Sequence, residues 1–408
     1  MAGVAGPTVM MASTVTSTDS KTDRRRNKVR VAPKSVERFA DELFADAVHQ
    51  RRVDSIALGV LGVVHAVSLS IHAIGRGLSA VRGKDAKHGT KQVDRLLSNS
   101  GVQLWRLFDS WVRFVVGDRK EIVVALDWTE FDGDKQATIC LYMITRHGRA
   151  TPLVWKTVPK ATLAGKRNDY EYSVVEQLGA SLPPEVKITL LADRGFGDQK
   201  FYAILGTFGW DYVIRFRDCI QVTDASGTTK PASQWLEKTG RAKMLKGVGV
   251  TEDKSPVPAV VLVHDKRMKD AWCLATSRVD LGAAAVTKLY GRRFTIEETF
   301  RDTKDVHFGM GLSATHIGSA GRRDRLLFLA ALAYALLVLL GAAGERCGLD
   351  RTLKASTTKR RTLSLYKQGC HWYDAIPAMT HERFELLMTA YDECLREQED
   401  LQAVFGLL

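Results

Sequence analysis

The stretch I-V-V-A-L-D-W-T, Ile122 to Thr129, is a short and nearly continuous apolar run ending on an acid, Asp127. A run of that length suits a central strand buried on both faces. Two further strands follow near Ala137 to Thr145 and Ala150 to Val158, joined by the R-H-G-R turn at Arg146 to Arg149. A tight turn between two such runs makes an antiparallel meander. Next comes a helix from about Asn168 to Leu182, closed by Pro183 and Pro184. The strand Val186 to Ala192 then leads to Asp193 and the loop A-D-R-G-F-G, a helix from Asp198 to Gly206 and a strand from Asp211 to Arg215. Three antiparallel strands followed by helix, strand, helix and strand specify an α/β sheet. Open sheets carry their reactive groups at strand ends, so Asp127 and Asp193 are expected to be neighbours despite a separation of 66 residues.

Further along, Y-G-R-R-F-T-I-E-E-T-F-R-D-T-K, Tyr290 to Lys304, has its apolar residues at helical spacing. One helix is expected from about Val286 through Lys304. Tyr290, Glu297 and Lys304 are seven residues apart, so two turns bring each nearly over the last, and Arg293 lies beside that stripe. By itself the charge pattern equally fits a solvated helix face with intrahelical ion pairs. Combined with Asp127 and Asp193, however, Glu297 completes three carboxylates. That is a minimal set for hard divalent ions such as Mg²⁺ or Mn²⁺, which prefer oxygen ligands and bridging phosphate oxygens. Two such ions about 3.5 to 4 Å apart can activate an attacking oxygen and stabilise a leaving one in phosphoryl transfer. Asp132, Asp134 and Glu298 are competing acids of lower rank. Between the sheet and this helix, residues 216–280 are rich in Val, Thr, Lys and Gly with short alternating runs, a β-rich insertion.

Outside this core, residues 1–34 form a Ser/Thr-rich and then basic segment, expected to be a disordered arm. Residues 35–118 look like a helical DNA-binding region. Its most informative segment, Val81 to Asn99, sets Arg82, Lys84, Lys87, Lys91 and Arg95 around a loop and a helix start, where side chains and backbone N–H groups can both meet phosphate. The helix Leu104 to Val116 carries core aromatics, and His65 and His72 are packed or surface histidines. Residues 119–215 and 281–343 would form the two parts of the core, and residues 344–408 a C-terminal helical region with its clearest helix at Glu382 to Glu397. Leu326 to Ala343 is apolar enough to raise a membrane span. A single such run deep in a basic chain is better read as a buried core helix, so no membrane partner is expected. The net charge of +13 over 408 residues favours a polyanionic partner, nucleic acid first. Six cysteines without a C-x-x-C pair indicate neither a disulfide framework nor a zinc ribbon, and point to a reducing cytoplasm.

Tyr290, Arg293, Glu297 and Lys304 reproduce a Y-(2)-R-(3)-E-(6)-K signature. With D-W-T at Asp127 and A-D-R-G-F at Ala192 to Phe196, the chain resembles the insertion-sequence-four (IS-four) DDE transposases, a family that includes the transposon-five enzyme. The likeness covers roughly Lys84 to Leu340. It implies a ribonuclease-H-like catalytic core and a metal site of Asp127, Asp193 and Glu297 holding two Mg²⁺, with Mn²⁺ able to substitute. It places Tyr290, Arg293 and Lys304 on phosphates near the transposon end, and Trp272 of the insertion on a flipped base. The DNA contacts expected beside these are Arg194, Lys84, Lys91 and Arg95. The resemblance further implies cleavage through a hairpin, joining to double-stranded target DNA, and a homodimer on paired ends, in a nucleoid-associated cytoplasmic setting. The separation from Asp193 to Glu297, 104 residues, bears on how a hairpin would be handled. The rival readings are a metal-dependent nuclease without strand transfer and a non-catalytic DNA-binding regulator.

Overall fold

The computed structural model describes residues 33–145 and 147–396. The expected arm thus lies outside the described residues except at Pro33 and Lys34, and so does Arg146 of the expected turn. Five helices come first: α1 (Pro33–Phe44), α2 (Gln50–Ala66), α3 (Ile71–Arg82), α4 (Ala86–Ser98) and α5 (Leu104–Val116). In α5, Leu104, Leu107, Phe108, Trp111, Val112 and Val115 fall on one face at helical spacing and are buried. Trp105, beside them, is only half-buried, under the Lys156 ammonium. Gly83 ends α3 in the left-handed conformation that favours glycine, and the exposed Asp85 precedes α4.

The sheet is built from β1 (Glu121–Phe131), β2 (Gln136–Ile144), β3 (Ala150–Pro159), β4 (Lys187–Ala192), β5 (Asp211–Phe216), β6 (Gln221–Thr223), β7 (Thr229–Pro231), β8 (Lys243–Val250), β9 (Ser255–Val263) and β10 (Trp272–Thr276). Its order is β3-β2-β1-β4-β5-β10-β9-β8-β6-β7. β1 runs antiparallel to β2 and parallel to β4, and β4 parallel to β5. The crossovers are α6 (Arg167–Ser181) and α7 (Gln199–Thr207). Two features differ from expectation. β1 continues four residues beyond Asp127, because Thr129 to Phe131 still pair with Thr138 to Gln136. And the strands of the insertion extend the same sheet, β10 lying antiparallel to β5.

The helix expected from Val286 to Lys304 is α8 (Ala283–Gly291) and α9 (Thr295–Lys304), joined by a 3₁₀ turn over Arg292–Phe294. A 3₁₀ turn advances about 120° per residue against 100° in an α-helix. The three-residue turn therefore rotates α8 by roughly 60° from the ideal stripe, and Tyr290 ends up in the core while Glu297 and Lys304 still share a face of α9. After it, α10 (Ala320–Arg346), α11 (Leu365–Ala375) and α12 (His381–Arg396) complete the described chain. α10 is long and apolar enough to cross a membrane, but 89 % of its most apolar window is buried within the protein. It crosses α11 at backbone contact: a Cβ on Gly369 would lie 1.8 Å from the Leu337 oxygen, and one on Gly341 2.0 Å from the Leu365 oxygen.

Candidate active site

The parallel register of β1 and β4 matches Leu126 to Ala192. One residue further on come Asp127, within β1, and Asp193, just past the end of β4, on neighbouring strands spaced roughly 4.8 Å apart as in any sheet. Asp127 accepts a hydrogen bond from the Trp128 N–H (2.9 Å), and Asp193 one from the Gly195 N–H (2.7 Å). Glu297 arrives from the first turn of α9. The acids meet through Arg293, whose Nη1 lies 3.1 Å from Asp127 Oδ2 and whose Nη2 lies 3.2 Å from Glu297 Oε1. Arg293 is buried, and its Nε has no hydrogen-bond partner. Burial pushes the Asp127 carboxyl up to about 6; Arg293 opposes the rise, and the charges of Asp193 and Glu297 add to it. Burial would lower the Arg293 guanidinium, but Tyr290 and the three carboxylates together raise it.

Tyr290 is fully buried, its ring 4.9 Å from that of Trp272 and edge-on to it. Burial raises its hydroxyl above the usual range, against Arg293 and Arg215. Trp272 is half-buried at the start of β10 and also stacks on Phe294 of the 3₁₀ turn, at 5.9 Å. Arg293 in turn lies over the Phe294 ring, at 4.8 Å. Lys304, at the far end of α9, donates to the Glu130 carbonyl (3.0 Å) and sits over Phe131, and burial lowers its ammonium. Arg194 is exposed in the loop after Asp193. Lys84 just before α4, Lys91 within it and Arg95 in its last turn are all exposed. The competing acids are engaged elsewhere: Asp132 with Lys160, Asp134 with the buried Arg323, and Glu298 with Arg301 and Arg149.

Several contributors escaped the sequence reading. The Trp128 indole donates to Glu171 (2.7 Å), a buried carboxylate whose pKa burial raises, and Arg167 covers the same indole. The signal was present, since Glu171 falls at helical spacing with the buried Val174, Val175 and Leu178. Next to Arg194, a cavity of about 490 Å³ gathers Arg215, Arg217 and Lys269 with Asp218 and Asp270. The seat of α9 was also missed: Thr299 exchanges hydrogen bonds with the Ala150 backbone, and Asp302 pairs with Arg149 (2.7 Å) and accepts from Tyr334 (3.3 Å). The contacts to Arg149 and Ala150 join residues about 150 apart, that to Tyr334 residues 32 apart, and none leaves a local pattern.

Three carboxylates of which one is poorly stabilised as an anion suit a hard divalent cation in charge and donor type. As the side chains lie, no three His, Cys, Asp or Glu groups among the described residues could hold one metal ion, and the guanidinium of Arg293 pairs with both Asp127 and Glu297. Glu297 is exposed and tied at its carboxylate by that single ion pair, so it can turn toward the other two acids. The donor set therefore fits a divalent ion.

The chain matches no curated protein. A family model described as a transposase DDE domain matches residues 118–336, more than half of the chain. That span runs from the residues before β1 into α10 and contains Asp127, Asp193 and Glu297, so the chain belongs to the family of DDE-domain transposases.

Proposed function

We propose that this transposase is of the IS-four type, with a ribonuclease-H-like core that cleaves transposon ends through a hairpin and joins the freed 3′-hydroxyl to target DNA. The observation that carries the reading is the double ion pair of Arg293 with Asp127 of β1 and Glu297 of α9, with Asp193 following β4, the strand paired to β1. Asp127, Asp193 and Glu297 would hold two Mg²⁺, with Mn²⁺ able to replace them, and these ions would supply an activated water and charge relief for the leaving oxygen. Arg293, with an unused Nε and a position beside the acids, is the first phosphate donor. Tyr290 and Phe294 pack on its guanidinium and orient it, and Lys304 adds a charge at the other end of α9. Trp272 offers a half-exposed indole to an unstacked base. Lys84, Lys91 and Arg95 bind the terminal repeat, Arg194 the strand beside Asp193, and the protein works as a homodimer on paired ends.

The test is incubation with Mg²⁺ and duplex DNA carrying the element's ends, scored for 3′ nicks, hairpins and joined products. Activity of Glu297→Ala equal to the parent would overturn the assignment. Nicks without hairpins or joining would reduce the activity to that of a nuclease.

A further inference from the structure

Between the start of β1 and α8 with its 3₁₀ turn lies a cavity of about 660 Å³, within the size range of ligand sites. Ala285, Lys288, Leu289 and Arg292 of α8 and the turn form one wall at the i, i+3, i+4, i+7 spacing of a single helix face. Lys120 and Val123 at the start of β1 form the opposite wall. The floor is apolar and the rim carries more bases than acids, the acids being Asp118 and Glu121. Arg278, also at the rim, is neutralised by Asp280 and Glu121. Lys120, Lys288 and Arg292 are not: their side chains make no ion pair or hydrogen bond with any described residue. Arg292 and Arg293 are consecutive, so the turn divides two guanidiniums between two sites. One faces the acids and the other lines this cavity.

We infer that this cavity holds the backbone of the DNA on the far side of the reacting phosphodiester from the element's end, a deepening that rests on the function proposed above. Position supports the assignment. The exposed bases of α4 belong to the helical region, which packs through α10 against the β3 edge of the sheet. The acids stand at β1 and β4, and α8 lies beyond them, against β5 and β9. A duplex running from α4 through the acids continues toward Lys288 and Arg292, and Lys120, just before β1, lines the same groove. Unpaired cations are what a phosphate chain needs, and apolar walls accept its sugars. The same groove would serve twice, because the DNA lost at cleavage and the DNA gained at joining occupy the same side of the reacting phosphorus.

The test uses the full chain and two end duplexes, one stopping at the element's terminus and one carrying about ten further base pairs, roughly one helical turn. Lys120→Ala/Lys288→Ala is expected to bind the longer duplex roughly 10- to 30-fold more weakly at about 0.1 M salt, with a log–log salt slope shallower by about 2. Its binding of the shorter duplex is expected to match the parent. Ala285→Trp fills the groove at an exposed helix position without changing charge, and is expected to weaken the longer duplex alone. Equal binding of both duplexes by parent and variants would overturn the inference, as would an equal loss on both. An equal effect from the exposed pair Lys238→Ala/Lys266→Ala would overturn it too, by reducing the cavity to a general field. A parent that retains neither duplex and does not cut the longer one would instead sink the proposed function itself.

Discussion

Replacing Asp127 by asparagine is expected to abolish cleavage and yet make the folded protein more stable at neutral pH. Burial, Asp193 and Glu297 hold the Asp127 carboxyl at about 6 instead of 3.8, which corresponds to about 3 kcal/mol against the folded state when the group is ionised. Its side chain is only 20 % exposed, so solvent screening takes little from that figure. An asparagine oxygen can still accept from the Trp128 N–H and from Arg293, although the neutral bond to Arg293 is weaker. The net gain should therefore be about 1 to 3 kcal/mol, or about 1 to 4 °C in Tm for a chain of this length. The pH dependence follows from the direction of the shift. The folded protein holds the Asp127 proton more tightly than the unfolded chain, so the parent loses stability as pH climbs from about 4 to about 6 and the loss is complete above about 7. The variant lacks that loss, and its advantage should grow by about 2 kcal/mol between about pH 4 and pH 7.5. Denaturant melts of both proteins at the two pH values measure it, and Mg²⁺ titration should raise the midpoint of the parent more than that of the variant. An advantage that is absent, or that does not change with pH, would refute the electrostatic account of the site.

Asp302→Ala leaves Tyr334 without its acceptor and Arg149 with only the longer ion pair to Glu298 beside its bond to the Gly148 carbonyl, so a loss of about 3 kcal/mol is expected in denaturant melts. Asp302→Asn, which keeps an acceptor for Tyr334, should recover part of that loss. Gly369→Ala drives a methyl into the Leu337 carbonyl and should cost more than about 3 kcal/mol, read as a lowered thermal midpoint. Glu297→Gln, at an exposed position, should stay within about 0.5 kcal/mol of the parent in stability while losing DNA cleavage at least about 100-fold. A loss of both together would mean that Glu297 acts through the fold.

The first five strands were legible because each is an apolar run bounded by a turn residue or a proline, and the register that sets Asp127 beside Asp193 follows from their order. The end of β1 was not, because Glu130 and Phe131 are held by pairing with Ala137 and Gln136 across a three-residue turn and carry no apolar run of their own. The break in the Tyr290 to Lys304 segment was hidden for a different reason. A 3₁₀ turn keeps helical backbone angles and needs no proline, so spacing alone does not show that Tyr290 turns into the core. Arg293 was placed beside the acids by counting residues, but its burial and its double ion pair depend on Tyr290, Trp272 and Phe294, packed together from three elements. The cavity of Lys120, Lys288 and Arg292 joins segments more than 160 residues apart and could not be read locally.

The uninterrupted ten-stranded sheet has a mechanical consequence. Asp193 follows β4, Trp272 opens β10, and both strands are stitched to β5, the latter through four consecutive register pairs from Phe216–Cys273 to Val213–Thr276. There is no hinge between the strand that carries an acid and the strand that carries the aromatic ring. Such a plate is stiff where a duplex is pliable, since bending 20 to 30 base pairs by 40 to 90° costs about 1 to 6 kcal/mol. Distortion needed to bring a phosphodiester onto Asp127 and Asp193 therefore falls on the nucleic acid, and easily kinked steps near the cut should be processed faster than stiff ones.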